Sequence, residues 1–202
     1  MPRLAVIAGY YVAFFLAVAV VGWWMQGAPA PRPVFASDVA GYALFLWTWI
    51  LAPAVAMAVH ELGHYLAARA NRIHVESVVV LGVGYDALAQ RFYRRRPAFP
   101  GGYVAADTSY LTEAQHRRFI LGGPALNLLV FLIGTLTATA IPTAELQTVW
   151  VTFAAANGAM AALNMLPFEV DGIPSDGRQL RNITRSPTDD VWKRLAKKPP
   201  LR

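Results

Sequence analysis

Cysteine is absent from this chain. Disulfides and thiolate metal sites are therefore excluded, and any bound metal has to be held by His, Asp or Glu. Charge is also scarce: Asp, Glu, Lys and Arg together make up 15% of the residues, where a soluble domain carries about a quarter. Acidic residues are the rarer sign, 12 against 18 basic, for a net charge of +6. That excess does not call for nucleic acid, and none is expected as a partner, because basic residues gathered on the cytoplasmic side of a membrane protein give the same balance. Apolar side chains are what the sequence has in plenty. They form 56% of the chain, and the mean hydropathy of +0.38 is that of a membrane protein.

Four stretches, 4–24, 41–68, 119–141 and 146–166, are long and apolar enough to span a bilayer. The first follows Arg3 and precedes Ala28-Pro29-Ala30, as a signal peptide would. Its apolar core is longer than a signal h-region, and Trp23 and Trp24 form an interfacial belt, so it reads as a retained helix. Of the 18 basic residues, Arg3 precedes the first span and Arg32 follows it, eight lie between the second and third spans, and eight follow the fourth. With four spans, all but Arg32 fall on one side, which the positive-inside rule makes cytoplasmic. The expectation is an all-α polytopic membrane protein of about four transmembrane helices. One membrane-embedded unit covers residues 1–185, and a basic cytoplasmic tail covers 186–202. Both termini are expected in the cytoplasm.

Between the second and third spans, residues 73–81 are rich in β-branched side chains and end at Gly82 and Gly84, which predicts a strand and a turn. Pro100-Gly101-Gly102-Tyr103-Val104 reads as a second turn-like stretch, so a short β or re-entrant segment is expected here. Thr112 to Gln115 has the spacing of a capping box, making Glu113 a helix-start residue. Gly134 and Ala138, then Ala154, Gly158 and Ala162, are small residues at helical spacing and predict close helix contact. Pro53 predicts a kink in the second span.

Within that second span lies His60-Glu61-Leu62-Gly63-His64. Two histidines four apart project from one helix face, one turn above the other. Both imidazoles can then hold a single zinc ion, with Glu61 positioned to act on a water there. Ionisable groups in an apolar, membrane-length helix are costly and point to function. A catalytic zinc site keeps three protein ligands and one open position. Glu145 falls at the opposite membrane face from His60, while Glu76, Asp86, Asp107, His74 and His116 read as solvated or interfacial loop groups. The segment from Asn164 to Leu180 is the better source. Pro167 and Pro174 forbid a continuous helix, and irregular backbone at membrane depth is tolerated only beside protein or a wet cavity. Asp176 precedes a new helical pattern and has N-cap chemistry, whereas Asp171 sits in an Asp-Gly turn. Asp176 is the preferred third ligand, with Asp171 in reserve.

These elements together resemble the site-2 protease family of intramembrane zinc metalloproteases, in a compact form without PDZ or CBS domains. The resemblance rests on His60-Glu61-Leu62-Gly63-His64, on Gly101-Gly102-Tyr103-Val104, on Gly122-Gly123-Pro124-Ala125-Leu126-Asn127, and on Asn164-Met165-Leu166-Pro167 followed by Asp176-Gly177. The spacer departs from the family's familiar form: Asp171 lies seven and Asp176 twelve residues after Asn164. The resemblance implies one zinc ion on His60, His64 and Asp176, with Glu61 as catalytic base. It implies regulated intramembrane proteolysis of single-span membrane proteins in the bacterial inner membrane, with Asn127 and Asn164 as substrate-binding candidates; the count of basic residues makes the active-site end cytoplasmic. Two other readings carry different signatures. A membrane HExxH protease with a glutamate ligand would use Glu169, and a non-proteolytic zinc protein that sequesters substrates would not need Glu61. The oligomeric state is not fixed by the sequence.

Overall fold

A computed structural model describes residues 3–25, 39–94, 101–108, 111–170 and 172–183. Asp171 and the basic tail at 186–202 lie outside the described residues. Among the described residues, four helices are long and apolar enough to cross a membrane. The first is α1 (Arg3–Trp24). The second is composite: α2 (Val39–Leu46) runs through a π-helical turn, Trp47–Leu51, into α3 (Ala52–Ala70). The third, α4 (Glu113–Thr137), ends in a 3-10 turn at Ala138–Ala140, and the fourth is α5 (Ala144–Met165). The third helix begins earlier than hydropathy alone marks it. Its polar first turn is held by the expected capping box, in which the Gln115 N–H donates to the Thr112 hydroxyl and the Gln115 side chain accepts from the Thr112 N–H.

The kink expected at Pro53 takes the form of the π turn just before it. Proline has no N–H to offer the Trp49 carbonyl, and its ring crowds that carbonyl. The freed Trp49 oxygen accepts instead from the Tyr11 hydroxyl of α1 (3.2 Å). Trp47, on the same turn, donates its indole N–H to Val149 O and Thr152 Oγ1 of α5, both at 3.0 Å. One wide turn thus ties three spans together.

Helix α5 is the most buried of the four spans and packs against α1, α3 and α4. Lipid tails supply no hydrophobic drive between helices, so small residues and close packing hold them. Ala155, Ala156 and Ala159 of α5 are buried with Tyr10 and Phe14 of α1 and Ala52 and Ala56 of α3. The small residues at 134 and 154 meet directly, since a methyl on Gly134 would lie 2.6 Å from Ala154 Cβ.

The tightest crossing joins α3 to α4. A methyl on Gly63 would strike the Gly122 carbonyl, and one on Gly122 would strike Gly63 and Ala67. Gly63→Ala is therefore expected to force α3 and α4 apart. A cost of about 1–3 kcal/mol is expected, read as a lower thermal unfolding midpoint in detergent with partial loss of bound metal.

The segment between α3 and α4 is a four-stranded antiparallel sheet in the order β3-β2-β1-β4, with β1 (Val75–Val80), β2 (Val83–Asp86), β3 (Arg91–Arg94) and β4 (Gly102–Ala106). Leu81 and Gly82, both at positive φ, make the two-residue β1–β2 turn, as a tight hairpin requires. The predicted strand at 73–81 is β1. The second turn-like stretch is itself a strand, β4, and β1 lies between two neighbours, so the sheet's edges are β3 and, on the side of Glu61, β4. Ile73 and Val75 seat the sheet on Ala68, Phe119 and Ile120, at the ends of α3 and α4. After α5, a short hairpin of β5 (Glu169–Val170) and β6 (Ile173–Pro174) leads into α6 (Asp176–Ile183).

Candidate metal centre

Helix α3 presents His60, Glu61 and His64, all buried. Their imidazole rings meet edge to face with centroids 4.7 Å apart. His60 Nε2 and His64 Nε2 approach to 3.1 Å. Asp176 comes in from α6, with Oδ2 at 3.0 Å from His60 Nε2 and Oδ1 at 3.4 Å from His64 Nε2. Sequence reasoning thus named three groups that the fold brings to one point. Among the described residues they form a group able to hold a metal ion, with one candidate ligand atom from each lying within 4.8 Å of the others.

The protonation of the two rings follows from what lies behind them. Asn157 Nδ2 donates to Phe153 O (2.9 Å), so its Oδ1 faces Asn127 and accepts from Asn127 Nδ2 (2.7 Å). Asn127 Nδ2 also donates to the Ala56 carbonyl (3.0 Å), which turns Asn127 Oδ1 toward His60 Nδ1 at 2.7 Å. An amide oxygen only accepts, so His60 Nδ1 carries the proton. The same argument applies to His64, whose Nδ1 lies 2.9 Å from the Phe119 carbonyl. In neutral rings both Nε2 atoms then bear lone pairs, aimed at each other and at a carboxylate. Three acceptors at this separation repel unless a cation sits among them. Asp176 Oδ2 is buried and has no hydrogen-bond partner, as expected of an acceptor that faces acceptors. The donor set therefore fits a metal ion, with outer partners that fix the tautomer of each histidine.

Asp176 reaches this position because a neighbour takes its expected place at the helix start. The sequence assigns N-cap chemistry to Asp176, but Ser175 Oγ accepts from the Arg178 N–H (3.3 Å) and the Phe168 N–H (3.1 Å) and donates to Leu166 O (2.6 Å). With the cap supplied by Ser175, the aspartate is free to turn inward. Gly177 completes the arrangement, since a side chain there would strike the Met165 carbonyl at the end of α5.

Glu61 is 3% exposed, and its Oε2 has no partner. Strand β4 lies over it: a methyl on Gly102 would fall 2.7 Å from Glu61 Oε1. Gly123 of α4 backs the other side, where a methyl would meet both imidazoles. The centre opens into a cleft of about 900 Å³ whose lining is mostly apolar, with walls from α1, the π turn, α3, β4, α5 and α6.

The remaining sequence candidates sit elsewhere. Asn164 lines the cleft and donates to Met160 O (3.1 Å). Asn127 is wholly buried and faces His60 rather than the cleft. Glu169 pairs with Arg178 (3.0 Å), and the metal-competent group does not include it. Asp86 accepts from the N–H groups of Leu88 and Ala89 at the β2–β3 turn. Glu76, Asp107, His74 and Glu145 are exposed. Sequence reasoning missed Asn157 as part of the histidine support and Ser175 as the cap. The only sequence signal for Asn157 is a polar residue at a helix-contact position.

Truncating Asn127 to alanine is expected to leave His60 Nδ1 without its acceptor and to weaken metal binding by about 10–100-fold. Competition with a chelator of known affinity would measure this. An unchanged affinity would mean that the amide merely fills space.

Compared with known protein families, residues 48–142 match peptidase family M50, the site-2 protease family, whose members are metalloproteases. The match takes in α3, the sheet and α4. No curated protein and no solved structure matches the chain.

Proposed function

We propose that this chain, whose residues 48–142 match the model of peptidase family M50, is a zinc-dependent intramembrane protease acting on single-span membrane proteins. The observation that carries the reading is the convergence of two imidazole lone pairs and one carboxylate beside Glu61, in a cleft walled by membrane-length helices. Two nitrogens bound to one tetrahedral zinc at about 2.0–2.1 Å sit roughly 3.3 Å apart. The 3.1 Å separation of His60 and His64 fits that geometry.

His60, His64 and Asp176 hold the ion, which when bound supplies a Lewis acid that polarises the scissile carbonyl and acidifies water. The chain's own groups do the rest. Glu61 accepts the proton of the attacking water and passes it to the leaving amine nitrogen. Its burial beneath β4 shields the carboxylate from solvent, and the lack of a side chain at Gly102 leaves room for it. Asn127 and Asn157 act behind His60 as positioning residues, while Asn164 remains the asparagine that faces substrate. The substrate segment is cleaved in extended form, because a helix hides its carbonyls in hydrogen bonds. The open edge of β4 offers backbone partners to such a segment by strand addition.

The excess of basic residues on one side of the four spans supports a cytoplasmic location for both termini and the active-site end, with residues 1–185 read as the catalytic unit and 186–202 as a basic tail. Glu61 counts against a protein that only binds metal, and the Glu169–Arg178 pair counts against a glutamate ligand. Co-expression with a panel of tagged single-span proteins tests the reading. Cleavage by wild type but not by Glu61→Gln supports it. A variant that cleaves as well as wild type, or purified protein without stoichiometric zinc, sinks it.

A further inference from the structure

Exposed apolar side chains gather on one face of the β2–β3 hairpin, outside the cleft. Val83 and Tyr85 of β2 stand opposite Arg94 and Phe92 of β3, so all four project from the same face of the sheet. Phe92 is 76% and Val83 56% exposed, and Tyr85 and Arg94 are exposed as well. The Tyr85 and Phe92 rings lie side by side with centroids 5.1 Å apart. None of the four lines the cleft. We propose that this face binds phospholipid, with the glycerol and upper acyl chains against Val83, Tyr85 and Phe92 and the phosphate on Arg94. The surface requires a bilayer around the helices and does not depend on the chain being a protease.

The strand register fixes where this face lies. Val83 and Arg94 end a row that crosses all four strands, with Gly102 opposite Val80, Val80 opposite Val83, and Val83 opposite Arg94. At the start of the row a methyl on Gly102 would strike Glu61 Cγ, so this sheet face looks toward α3. The next row runs Val104, Val78, Tyr85, Phe92. Its first two members pack on the cluster of Ala68, Phe119 and Ile120, while Tyr85 and Phe92 are exposed beyond it. Three strand spacings carry the sheet roughly 14 Å from Gly102 to Arg94, more than the roughly 11 Å diameter of a helix. The sheet therefore overhangs the bundle with its apolar side turned to the helices. Glu61 stands nine residues before the end of α3 at Ala70, roughly 13 Å along the axis. At that level of a membrane-length helix, lipid rather than bulk water lies beneath the overhang.

The two faces of the hairpin differ as this placement requires. An antiparallel sheet with one side in water turns its polar residues outward. The far side here carries Asp86 opposite Arg91, and Tyr93 lies across Gly84, where a methyl would strike its ring. The overhanging side is apolar yet uncovered, which marks a contact surface. Arg94 is the one charged member of its two cross-strand pairs, and no acid stands opposite it. A guanidinium binds phosphate through paired hydrogen bonds, and its aliphatic stem can lie along apolar surface while the charge reaches the headgroups. Four side chains fall short of the roughly 800 Å² per partner that a stable protein contact buries. A phospholipid needs no such area.

The absence of cysteine lets one introduced thiol carry one fluorescent label. Val83→Cys and, on the far face, Arg91→Cys are labelled in the purified protein and placed in nanodiscs of phosphatidylglycerol and phosphatidylethanolamine. Lipid brominated on its acyl chains is expected to quench the label at position 83 several-fold more than the label at 91, and aqueous iodide is expected to do the reverse. Phe92→Cys repeats the measurement if the Val83 variant does not fold. Iodide quenching as strong at 83 as at 91 overturns the surface. So does a label at 83 that neither quencher reaches, since protein then covers the face. Native mass spectrometry of detergent-extracted protein tests the phosphate contact. Arg94→Gln is expected to retain roughly fivefold less phospholipid than wild type, the worth of one basic residue at a lipid surface. Arg91→Gln should retain as much as wild type, and both should keep its thermal unfolding midpoint. Equal loss from both variants, or loss from neither, removes Arg94 from the site and overturns the proposal. Neither measurement reads cleavage, so a chain that cuts no peptide would lose the protease reading and keep the lipid surface.

Discussion

Replacing Glu61 with glutamine is expected to leave the metal in place and to lower cleavage by at least about a hundredfold. Positioned general bases contribute roughly 10²–10⁴-fold, and among the described residues no second carboxylate is placed to substitute. Asp176 is committed to the imidazoles, and Glu169 to Arg178. Glutamine keeps the length and volume of the side chain beneath β4, so Gly102 and Gly123 need not move. Metal content by elemental analysis and product formation on a single-span substrate, measured on the same preparation, separate the two effects. Loss of both together would make Glu61 a structural support of the metal rather than a proton carrier.

Asp176→Ala is expected to act in the reverse order, with metal lost first and activity lost as a result. Among the three groups able to hold the ion, Asp176 is the one carboxylate, set against two neutral imidazoles. Its removal should weaken metal binding by more than the roughly 10–100-fold that an outer partner is worth. The variant also uncovers two opposed lone pairs at 3.1 Å. Asp171→Ala and Glu169→Ala serve as controls and should retain metal. If Asp171→Ala empties the site while Asp176→Ala does not, the ligand assignment is inverted.

Much of this was legible because membrane residence is written locally. A bilayer demands about 20 apolar residues in sequence, and that demand marks the four spans without knowledge of their neighbours. The same holds for the capping box at Thr112 and for Pro53, whose missing N–H disturbs a helix in any context. The His60–His64 pair is legible for a similar reason, since helical spacing alone sets the distance between them.

Partnership across the chain was harder to read. Val78, Val79 and Val80 show a strand but not its neighbours, so the central place of β1 and the open edge at β4 emerge only from the fold. Ser175 and Asp176 are both capable caps, and which of them takes the role depends on Phe168 and Leu166, brought near by the β5–β6 hairpin. Asn127 looks like a polar residue facing a cleft until Ala56 and Asn157 are seen to turn its oxygen toward His60.

The meeting of Gly63 with Gly122 has a consequence for how the sequence can drift. Main chain touching main chain has no rotamers to adjust, so the spacing of α3 and α4 is set by a hard stop rather than by side-chain fit. Leu62, Leu66, Leu128, Leu129 and Leu132 on the same two helices are exposed toward lipid and take no part in that stop. Their identities can be exchanged for other apolar residues to suit a bilayer of different thickness, while the two imidazoles keep their separation. The coordination geometry is in this sense insulated from the lipid the helices dissolve in.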